Sequence, residues 1–490
     1  MSEISATSTG VSATDDPGLR RLAAGTLLAA FPGTTAPEWV LRDLENGLGG
    51  VTLFGFNVAS AEQLAALTAR LRSAGDPVIS LDEEGGDVTR LAYHVGSPYP
   101  GNAALGAVDD VELTRRVYRS IGDDLLRCGV NLDMAPDADV NTADDNPVIG
   151  TRSFSADPAL VARHTVAAVE GLQETGVAAC VKHFPGHGAT RQDSHLEIPT
   201  VDVSREVLWE RELVPFRAAI SAGTKSIMTA HVRVPVLTGS APATLSSAAL
   251  TELLRGELGY DGVVVSDALD MHAISRSVGL GGGAVLSLAA GSDLLCLGPL
   301  PTFEEIREIE SAIVSAVREG RLPVSRLEEA VDRVARLRTW FGTARREPRD
   351  GQVIGLTAAR RAVRLSGAPA PLVDPLVVEV DTPPSMAVGD VPWGFTPWLP
   401  QAEITRVKPD EADAPALLTH AKDRSLIIVV KDAHRHDESR SFVSALLTAR
   451  PDATVVEMGL PIWRPTAATY IATYGAARAN AQAAAELLTA

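Results

Sequence analysis

The chain has 490 residues, of which 45% are hydrophobic and 22% are charged, and its formal net charge at pH 7 is −18. This length exceeds the usual size of one domain, and the apolar content excludes a largely disordered protein. The acidic residues are spread along the chain and leave no basic surface for a phosphate backbone, so nucleic acid is not an expected partner.

The amino-terminal residues 1–18 are small, polar and acidic, without the basic start and apolar run of a secretory signal. They predict a short disordered lead. No stretch approaches the roughly twenty uninterrupted apolar residues of a membrane-spanning helix, so a cytoplasmic location without a membrane partner is expected. Cys128, Cys180 and Cys296 lie far apart in apolar surroundings, which indicates reduced, buried thiols.

Eight short apolar runs follow one another along the first part of the chain, most of them followed by a helix-like segment. The runs are TLLAAF (26–31), GVTLFGFN (50–57), PVISLDEEGG (77–86), VNLDMAPDADV (130–140), AACVKHFPGHG (178–188), SIMTAHV (226–232), GVVVSDALD (262–270) and DLLCLG (293–298). Continuous apolar runs are typical of strands buried on both faces, and helices between them predict parallel neighbours. Eight strand–helix units over about 250 residues or more predict an α/β fold, a TIM (β/α)8-type barrel.

Polar residues stand at or just after the carboxyl ends of these predicted strands. They are Asp82, Glu83, Asp137, Lys182, His183, His231 and Asp267. In a barrel those ends converge on one rim, where barrel enzymes carry their catalytic residues. A doubly wound sheet would also collect ligands at strand ends, but from fewer strands.

The remainder of the chain predicts a second, smaller domain. Two amphipathic helical patterns after residue 300 complete a barrel domain over residues 19–341. The polar stretch 342–370 predicts a linker. Residues 371–490 combine helical patterns with three strand candidates and predict a smaller α/β domain. The strand candidates are residues 375–380, 425–432 and 454–459.

The segment 182–195, KHFPGHGATRQDSH, concentrates titratable residues in a stretch whose glycine and proline content predicts a loop. His183 and His187 have the spacing of a helical zinc pair. The FPG between them prevents a helix and no Glu follows the first His, so no metal is predicted. Several titratable residues at strand ends usually mark a site, which favours a functional role over a structural polar cluster.

Two aspartates are candidate catalytic residues, namely Asp193 in this segment and Asp267 at the rim. Asp193 precedes His195 by two residues, and an aspartate can orient an imidazole so that it donates a proton near neutrality. The same spacing fits an Asx-type turn with a chance histidine equally well. Asp267 ends a very apolar strand and is a candidate nucleophile, base or metal ligand. It and Asp82 could each cap a helix instead, although this reading is weak for both together.

These strings resemble the motifs of glycoside hydrolase family 3, in its β-N-acetylglucosaminidase branch. KHFPGHGATRQDSH is similar to the family signature of KHFPGHG, a short spacer and D-S-H. LDEEGGDVTRL, IGTRSF, MTAHV and GVVVSDALDM resemble the other family blocks, in the expected order. The resemblance covers residues 20–340 and implies the TIM barrel, and the second domain resembles the α/β sandwich attached in some members.

The resemblance implies roles for eight residues and no cofactor. Asp267 would be the nucleophile that forms a glycosyl-enzyme ester. His195, positioned by Asp193, would protonate the leaving oxygen and then deprotonate the acceptor, and the two displacements would retain the β configuration. The positions that would bind the sugar are Asp82, Arg90, Arg152, Lys182 and His183.

Two residues depart from the family pattern. Asp87 stands where the family usually has a basic residue in EGGRV, and Ala268 follows the nucleophile where a second acidic residue is common. Neither departure removes a catalytic group, but both leave the sugar contacts and the leaving-group preference open. In the second domain, Asp432 and His434 are candidates for contributing to the cleft.

The resemblance implies an exo-β-N-acetylglucosaminidase that acts on terminal β-linked N-acetylglucosamine, with cell-wall muropeptide fragments as the substrate. Two alternatives stay open. The same residues fit a phosphorylase that uses phosphate as the acceptor, because a histidine acid–base does not repel a phosphate dianion. A catalytically inactive sugar-binding protein would be expected to lack a motif residue. The five central ones are all present, namely Lys182, His183, Asp193, His195 and Asp267.

Overall fold

Eight parallel strands form a barrel in the first domain of the protein, whose computed structural model describes residues 16–193, 198–342 and 351–490. The strands are β1 (Leu27–Ala29), β2 (Gly50–Thr52), β3 (Val78–Leu81), β4 (Leu132–Asp133), β5 (Ala178–Phe184), β6 (Ser226–Thr229), β7 (Val263–Val265) and β8 (Leu295–Cys296). They pair in the order β7-β6-β5-β4-β3-β2-β1-β8, and a parallel bridge between Val265 and Leu294 joins the two ends. The predicted barrel is confirmed, and each of the eight predicted runs contains one strand.

Helices cover the outside of the barrel. Every residue of β1 to β8 is buried, because the barrel interior covers one face of each strand and the helices cover the other. The helices of this domain span Pro17–Gly25, Glu38–Glu45, Ala61–Arg72, Asn102–Val108, Val111–Arg127, Pro158–Glu174, Arg205–Val207, Leu208–Glu212, Leu213–Ser221, Pro235–Thr238, Ala248–Glu257, His272–Ala290, Phe303–Arg318 and Val324–Trp340.

The helix His272–Ala290 has the length and apolar composition of a membrane-spanning helix, which the sequence did not lead us to expect. Length and composition are the only grounds for this likeness, and core helices of globular proteins share them. Ile274 and Leu288 belong to the hydrophobic core of the barrel domain. The backbone leaves helical geometry at Gly279, where φ is 70°.

The second domain contains a six-stranded sheet with helices. Its strands are β9 (Arg364–Gly367), β10 (Leu376–Val380), β11 (Glu403–Val407), β12 (Leu426–Val430), β13 (Thr454–Glu457) and β14 (Thr469–Ala472). The order is β11-β10-β12-β13-β14-β9, and only β9 runs antiparallel to its neighbour among these strands. The predicted α/β architecture is confirmed, with β10, β12 and β13 at the three predicted positions. The helices span Val353–Ala362, Ala414–His420, Asp437–Ala449 and Arg478–Thr489.

The segment between the two sheets is more regular than its polar sequence indicates. Residues 353–367, within the stretch read as a linker, form a helix followed by the edge strand β9. That helix packs against Asn102–Val108 of the barrel domain and against Arg478–Thr489 at the end of the chain. The two domains are therefore joined by packed structure as well as by the chain. Cys128, Cys180 and Cys296 are buried free thiols, as predicted.

Candidate active site

A cavity of about 450 Å³ opens at the carboxyl ends of the barrel strands. Six of the eight residues to which the family resemblance assigns a role line this cavity. They are Asp82, Arg90, Arg152, Lys182, His183 and Asp267. Asp193 is partly buried and is not among the lining residues, and His195 lies outside the described part of the chain.

The strand ends explain how residues distant in sequence meet here. Asp82 directly follows β3, Lys182 and His183 belong to β5, and Asp267 comes two residues after β7. The carboxyl ends of parallel barrel strands share one rim, so these side chains converge. Arg152 ends a short 3-10 turn on the connection after β4.

Glu83 shapes the loop that carries Arg90. Its Oε2 accepts hydrogen bonds from the Thr89 hydroxyl at 2.8 Å and from the backbone N–H groups of Arg90 at 3.0 Å and Leu91 at 2.9 Å. Burial raises the pKa of Glu83 to about 7 despite these donors. Glu83 is one of the rim residues predicted from the sequence, but its side chain organises the loop and does not line the cavity.

Lys182 is the central cation of the cavity. Its Nζ lies 2.6 Å from Oδ1 of Asp82 and 2.7 Å from Oε1 of Glu84, and only 2% of its side chain is exposed. Burial alone would lower the pKa of Lys182, but the two carboxylates outweigh burial and raise it. Likewise, burial would raise the pKa of Asp82, and the charges of Lys182 and Arg90 hold it below its ordinary value. Lys182 and Asp82 are therefore both charged at neutral pH.

Glu84 was not predicted as a site residue, yet it joins the two buried cations. Its carboxylate accepts from Arg152 Nε at 3.0 Å and from Arg152 Nη2 at 2.8 Å, in addition to its contact with Lys182. Against burial, the charges of Arg152 and Lys182 hold the pKa of Glu84 well below its ordinary value. The repeated glutamate in LDEEGG was the available sequence signal. Glu84 fixes both cations so that their remaining N–H groups can face a ligand.

His183 is held as a neutral ring. Burial and the neighbouring Arg152 charge lower the pKa of His183 to about 4. Its Nδ1 lies 2.7 Å from Oδ2 of Asp139, and its Nε2 lies 3.3 Å from Nη2 of Arg152. Because Arg152 can only donate, Nε2 accepts and Nδ1 carries the proton that it donates to Asp139. Asp139 is a second residue of the site that the sequence did not single out.

Asp137, Asp139 and His183 have ligand atoms within 4.8 Å of one another, close enough to hold a metal ion. The 2.7 Å contact between His183 and Asp139 is already a hydrogen bond, and Arg152 Nη2 lies 3.7 Å from Oδ2 of Asp137. The guanidinium thus supplies the positive charge at this cluster. His187 lines the cavity next to His183, with ring centroids 6.0 Å apart, and its Nδ1 lies 2.7 Å from the Thr190 hydroxyl. The geometry fits a hydrogen-bond network that orients His183 and Arg152.

Asp267 is fixed by its own backbone and by β6. Its Oδ1 accepts from the N–H of Ala268 at 2.8 Å, and its N–H lies 3.4 Å from the Thr229 hydroxyl. The buried His231 holds the same turn, with Nε2 2.9 Å from the Ala268 carbonyl and Nδ1 2.8 Å from the Thr244 hydroxyl. The rim residue His231 therefore orients the turn that carries Asp267 and does not line the cavity.

The glycines of KHFPGHG allow close packing beneath the site. A Cβ atom at Gly188 would overlap the backbone carbonyl of Val140, so no other residue fits there without moving the chain. Gly186 has a φ of 126°, a conformation that favours glycine. The motif is thus partly a packing requirement and partly a source of site residues.

Apolar side chains and part of the second domain also line the cavity. Residues 386–389 of that domain line the opening. The apolar side chains of the lining include Phe54, Phe56, Tyr93, Met271, Pro299 and Met386. Charged groups and apolar surface together suit a ligand with hydroxyl groups and apolar ring faces. Of the two candidates in the second domain, His434 contacts the Asp144 carbonyl at 2.8 Å and Asp432 lines a neighbouring cavity.

The fold and this cavity define a (β/α)8 barrel whose rim has the composition that barrel enzymes use for catalysis. The sequence identifies the family. Residues 31–337 match the glycosyl hydrolase family 3 N-terminal domain, and the chain belongs to this family.

Individual relatives agree with this assignment. The chain is 34% identical over 319 residues to beta-hexosaminidase A of Pseudoalteromonas piscicida, which covers 60% of this chain and 53% of the relative. It is 37% identical over 279 residues to beta-hexosaminidase LpqI of Mycobacterium tuberculosis, which covers 55% of this chain and 71% of the relative. A glycoside hydrolase family 3 beta-N-acetylglucosaminidase from Paenibacillus sp. str. FPU-7 has a similar structure, with a TM-score of 0.85, 33% identity and 96% coverage of both chains.

Proposed function

We propose that this protein is a retaining exo-β-N-acetylglucosaminidase that removes terminal β-linked N-acetylglucosamine, with cell-wall muropeptide fragments as its substrate. One observation carries the proposal. Asp267 and the five residues that the family resemblance assigns to sugar binding line the same cavity. Similarity to two β-hexosaminidases and to a β-N-acetylglucosaminidase of solved structure supports the choice of sugar.

The charged side of the cavity suits a neutral sugar. Lys182 and Arg152 offer fixed donors and Asp82 offers a fixed acceptor, and hydroxyl groups can pair with both kinds. A volume of about 450 Å³ is at the small end for ligand pockets, which suits one sugar ring and part of the next group. Such a pocket takes the end of a glycan, and this favours the exo mode.

The reaction follows from two displacements. The Asp267 carboxylate attacks the anomeric carbon and forms an ester, while His195 gives its proton to the departing oxygen. The neutral His195 then takes a proton from water, which attacks the same carbon and releases Asp267. Two inversions restore the β configuration. Asp193 stabilises the charged imidazole before the first displacement and again after the second.

The test is the hydrolysis of an aryl β-N-acetylglucosaminide beside the matching aryl β-glucoside, with the first-formed product identified by NMR. We expect release from the N-acetyl substrate and a β-configured sugar. An α-configured product would overturn the retaining mechanism, and preference for the glucoside would overturn the choice of sugar.

The same assay with added phosphate decides the nature of the acceptor. A hydrolase releases the free sugar at the same rate with and without phosphate. Formation of the sugar 1-phosphate in the phosphate arm would instead establish a phosphorylase with the same two catalytic residues.

A further inference from the structure

A segment of the second domain, residues 385–390, is hydrogen-bonded to the barrel rim. Arg90 Nη2 donates to the Ala387 carbonyl at 2.9 Å. The backbone N–H of Asp390 donates to the Tyr93 hydroxyl at 3.2 Å. The barrel loop that carries Arg90 is therefore attached to the second domain directly beside the cavity.

Arg90 has contacts with both domains. Its Nη2 lies 3.7 Å from Oδ2 of Asp82 in the barrel and 2.9 Å from the Ala387 carbonyl in the second domain. Only 10% of the side chain is exposed, so the surrounding residues restrict the guanidinium to few other positions. A movement of segment 385–390 would therefore shift Arg90 relative to Asp82.

Asp87, three residues before Arg90, attaches the same loop a second time. Its Oδ1 accepts from the backbone N–H of Ala476 at 2.8 Å, and its Oδ2 lies 3.3 Å from Nζ of Lys431. Oδ2 also accepts from the hydroxyl of Thr151 at 3.0 Å. Lys431 and Ala476 belong to the second domain, whereas Thr151 belongs to the barrel. One carboxylate thus joins the sugar-binding loop to two loops of the second domain.

The ion pair between Asp87 and Lys431 is buried. The exposed fractions of the two side chains are 3% and 15%. Loss of one partner of a buried pair leaves an uncompensated charge, whereas loss of both partners together is far less costly. Asp87 is also the position where this sequence departs from the family pattern, and its charge is matched by a lysine of the second domain.

We propose that Asp87 and Lys431 anchor the second domain on the barrel rim and thereby position Arg90 for the sugar. The part that concerns the sugar rests on the proposed function. Asp87 is a positioning residue, because it acts through Arg90 and segment 385–390 and does not line the cavity.

A double-mutant cycle tests the anchor. The variants are Asp87→Asn, Lys431→Met and the two combined, measured for kcat and KM on the aryl β-N-acetylglucosaminide. We expect each single change to raise KM by about tenfold, because a small displacement of a binding group is costly. The combined variant should be no worse than either single one. A merely structural loss would reduce the folded fraction, which lowers the apparent kcat and leaves KM unchanged.

Two controls accompany the cycle. Lys431→Arg keeps the charge and should keep the wild-type KM. The exposed pair of Lys408 and Glu411, 3.2 Å apart with exposed fractions of 61% and 67%, provides a matched cycle with Lys408→Met and Glu411→Gln. Each of these should change KM by less than about twofold. If Lys431→Met does not fold, Lys431→Gln replaces it.

Hydrogen exchange of residues 385–390, followed by mass spectrometry, tests the anchor without any substrate. The single variants should exchange faster in this segment than the wild type. Two results would overturn the anchor. In the first, both single variants keep the wild-type KM and the wild-type exchange rate. In the second, the effects of the two single changes on KM multiply in the combined variant. A wild-type protein without turnover of the aryl substrate would overturn the proposed function, while the exchange experiment would still decide the anchor.

Discussion

Lys182 Nζ and Asp82 Oδ1 are 2.6 Å apart, although the two residues come from β5 and from the end of β3. The same ammonium is 2.7 Å from Glu84, so one lysine compensates two carboxylates whose own exposure is 20% and 3%. The pairing holds together the polar side of the cavity before any ligand is present.

Replacing this lysine should therefore cost stability as well as binding. Lys182→Met leaves two buried carboxylates with only the arginines nearby, and breaking a buried pair typically costs about 3–5 kcal/mol. The free energy of unfolding in urea measures the effect. The exposed Lys422 offers a control, because Lys422→Met should change it by less than about 0.5 kcal/mol. Equal losses in the two variants would contradict the role given to Lys182.

Asp267→Ala should lower kcat/KM by at least about a thousandfold, because it removes the carboxylate that we propose as the nucleophile. Added azide should restore part of the rate by occupying the vacated space, and its product should have the α configuration. The control is Asp261→Ala, whose side chain is 77% exposed just before β7. Turnover close to wild type in the Asp267 variant would refute the nucleophile.

His195→Ala should have unequal effects on two kinds of leaving group. A general acid contributes about a hundredfold or more when the leaving oxygen is basic, and less when the leaving group is an activated phenolate. The value of kcat/KM for a β-linked disaccharide should therefore fall much further than for a dinitrophenyl glycoside. His420→Ala, at a 53% exposed histidine of the second domain, should leave both values unchanged. The same proportional loss on both substrates would argue against an acid role for His195.

Asp137→Asn should change the pH dependence of stability. Burial and the adjacent Asp139 raise the pKa of Asp137 to about 8, whereas an unfolded aspartate titrates near 3.8. The folded protein keeps the proton, so this group's contribution is fully present below the unfolded pKa and is lost as the pH rises towards 8. The asparagine of the variant cannot titrate. As the pH rises from the unfolded to the folded pKa, the free energy of unfolding of the variant minus that of the wild type should therefore increase by up to about 1.4 kcal/mol per pH unit. Urea unfolding of both proteins across this range tests the slope, and parallel curves would show that Asp137 is ionised in the fold.

The barrel could be predicted because burial on both faces imposes a continuous apolar run on each strand. The second sheet was only partly predictable, because some of its strands are not buried on both faces. All four residues of β9 are exposed, and β11 at the opposite edge has no buried residue, so neither carries an apolar run. β14 is buried, but no strand was predicted over its residues. Edge position removed the apolar run from β9 and β11.

The site residues show a similar division. Asp82, Lys182, His183 and Asp267 were visible because they directly follow or end apolar runs. Glu84 and Asp139 gain their roles only through Arg152 and His183, which lie 68 and 44 residues further along the chain. Such pairings depend on the tertiary fold. The repeated glutamate of LDEEGG is the one local signal for Glu84, and no local pattern distinguishes Asp139 from an ordinary loop acid.

The position of β14 between β13 and β9 sets the order in which the protein can be completed during synthesis. All barrel strands have left the ribosome once residue 296 has emerged, and amino-terminal domains fold first. The edge strand β9 can pair with β14 only after β14 has emerged. The Asp87 loop likewise forms its hydrogen bond to Ala476 only after that residue has emerged. A nascent chain that stops before β14 thus has every barrel strand but lacks the partner of β9 and the Ala476 contact of the Asp87 loop.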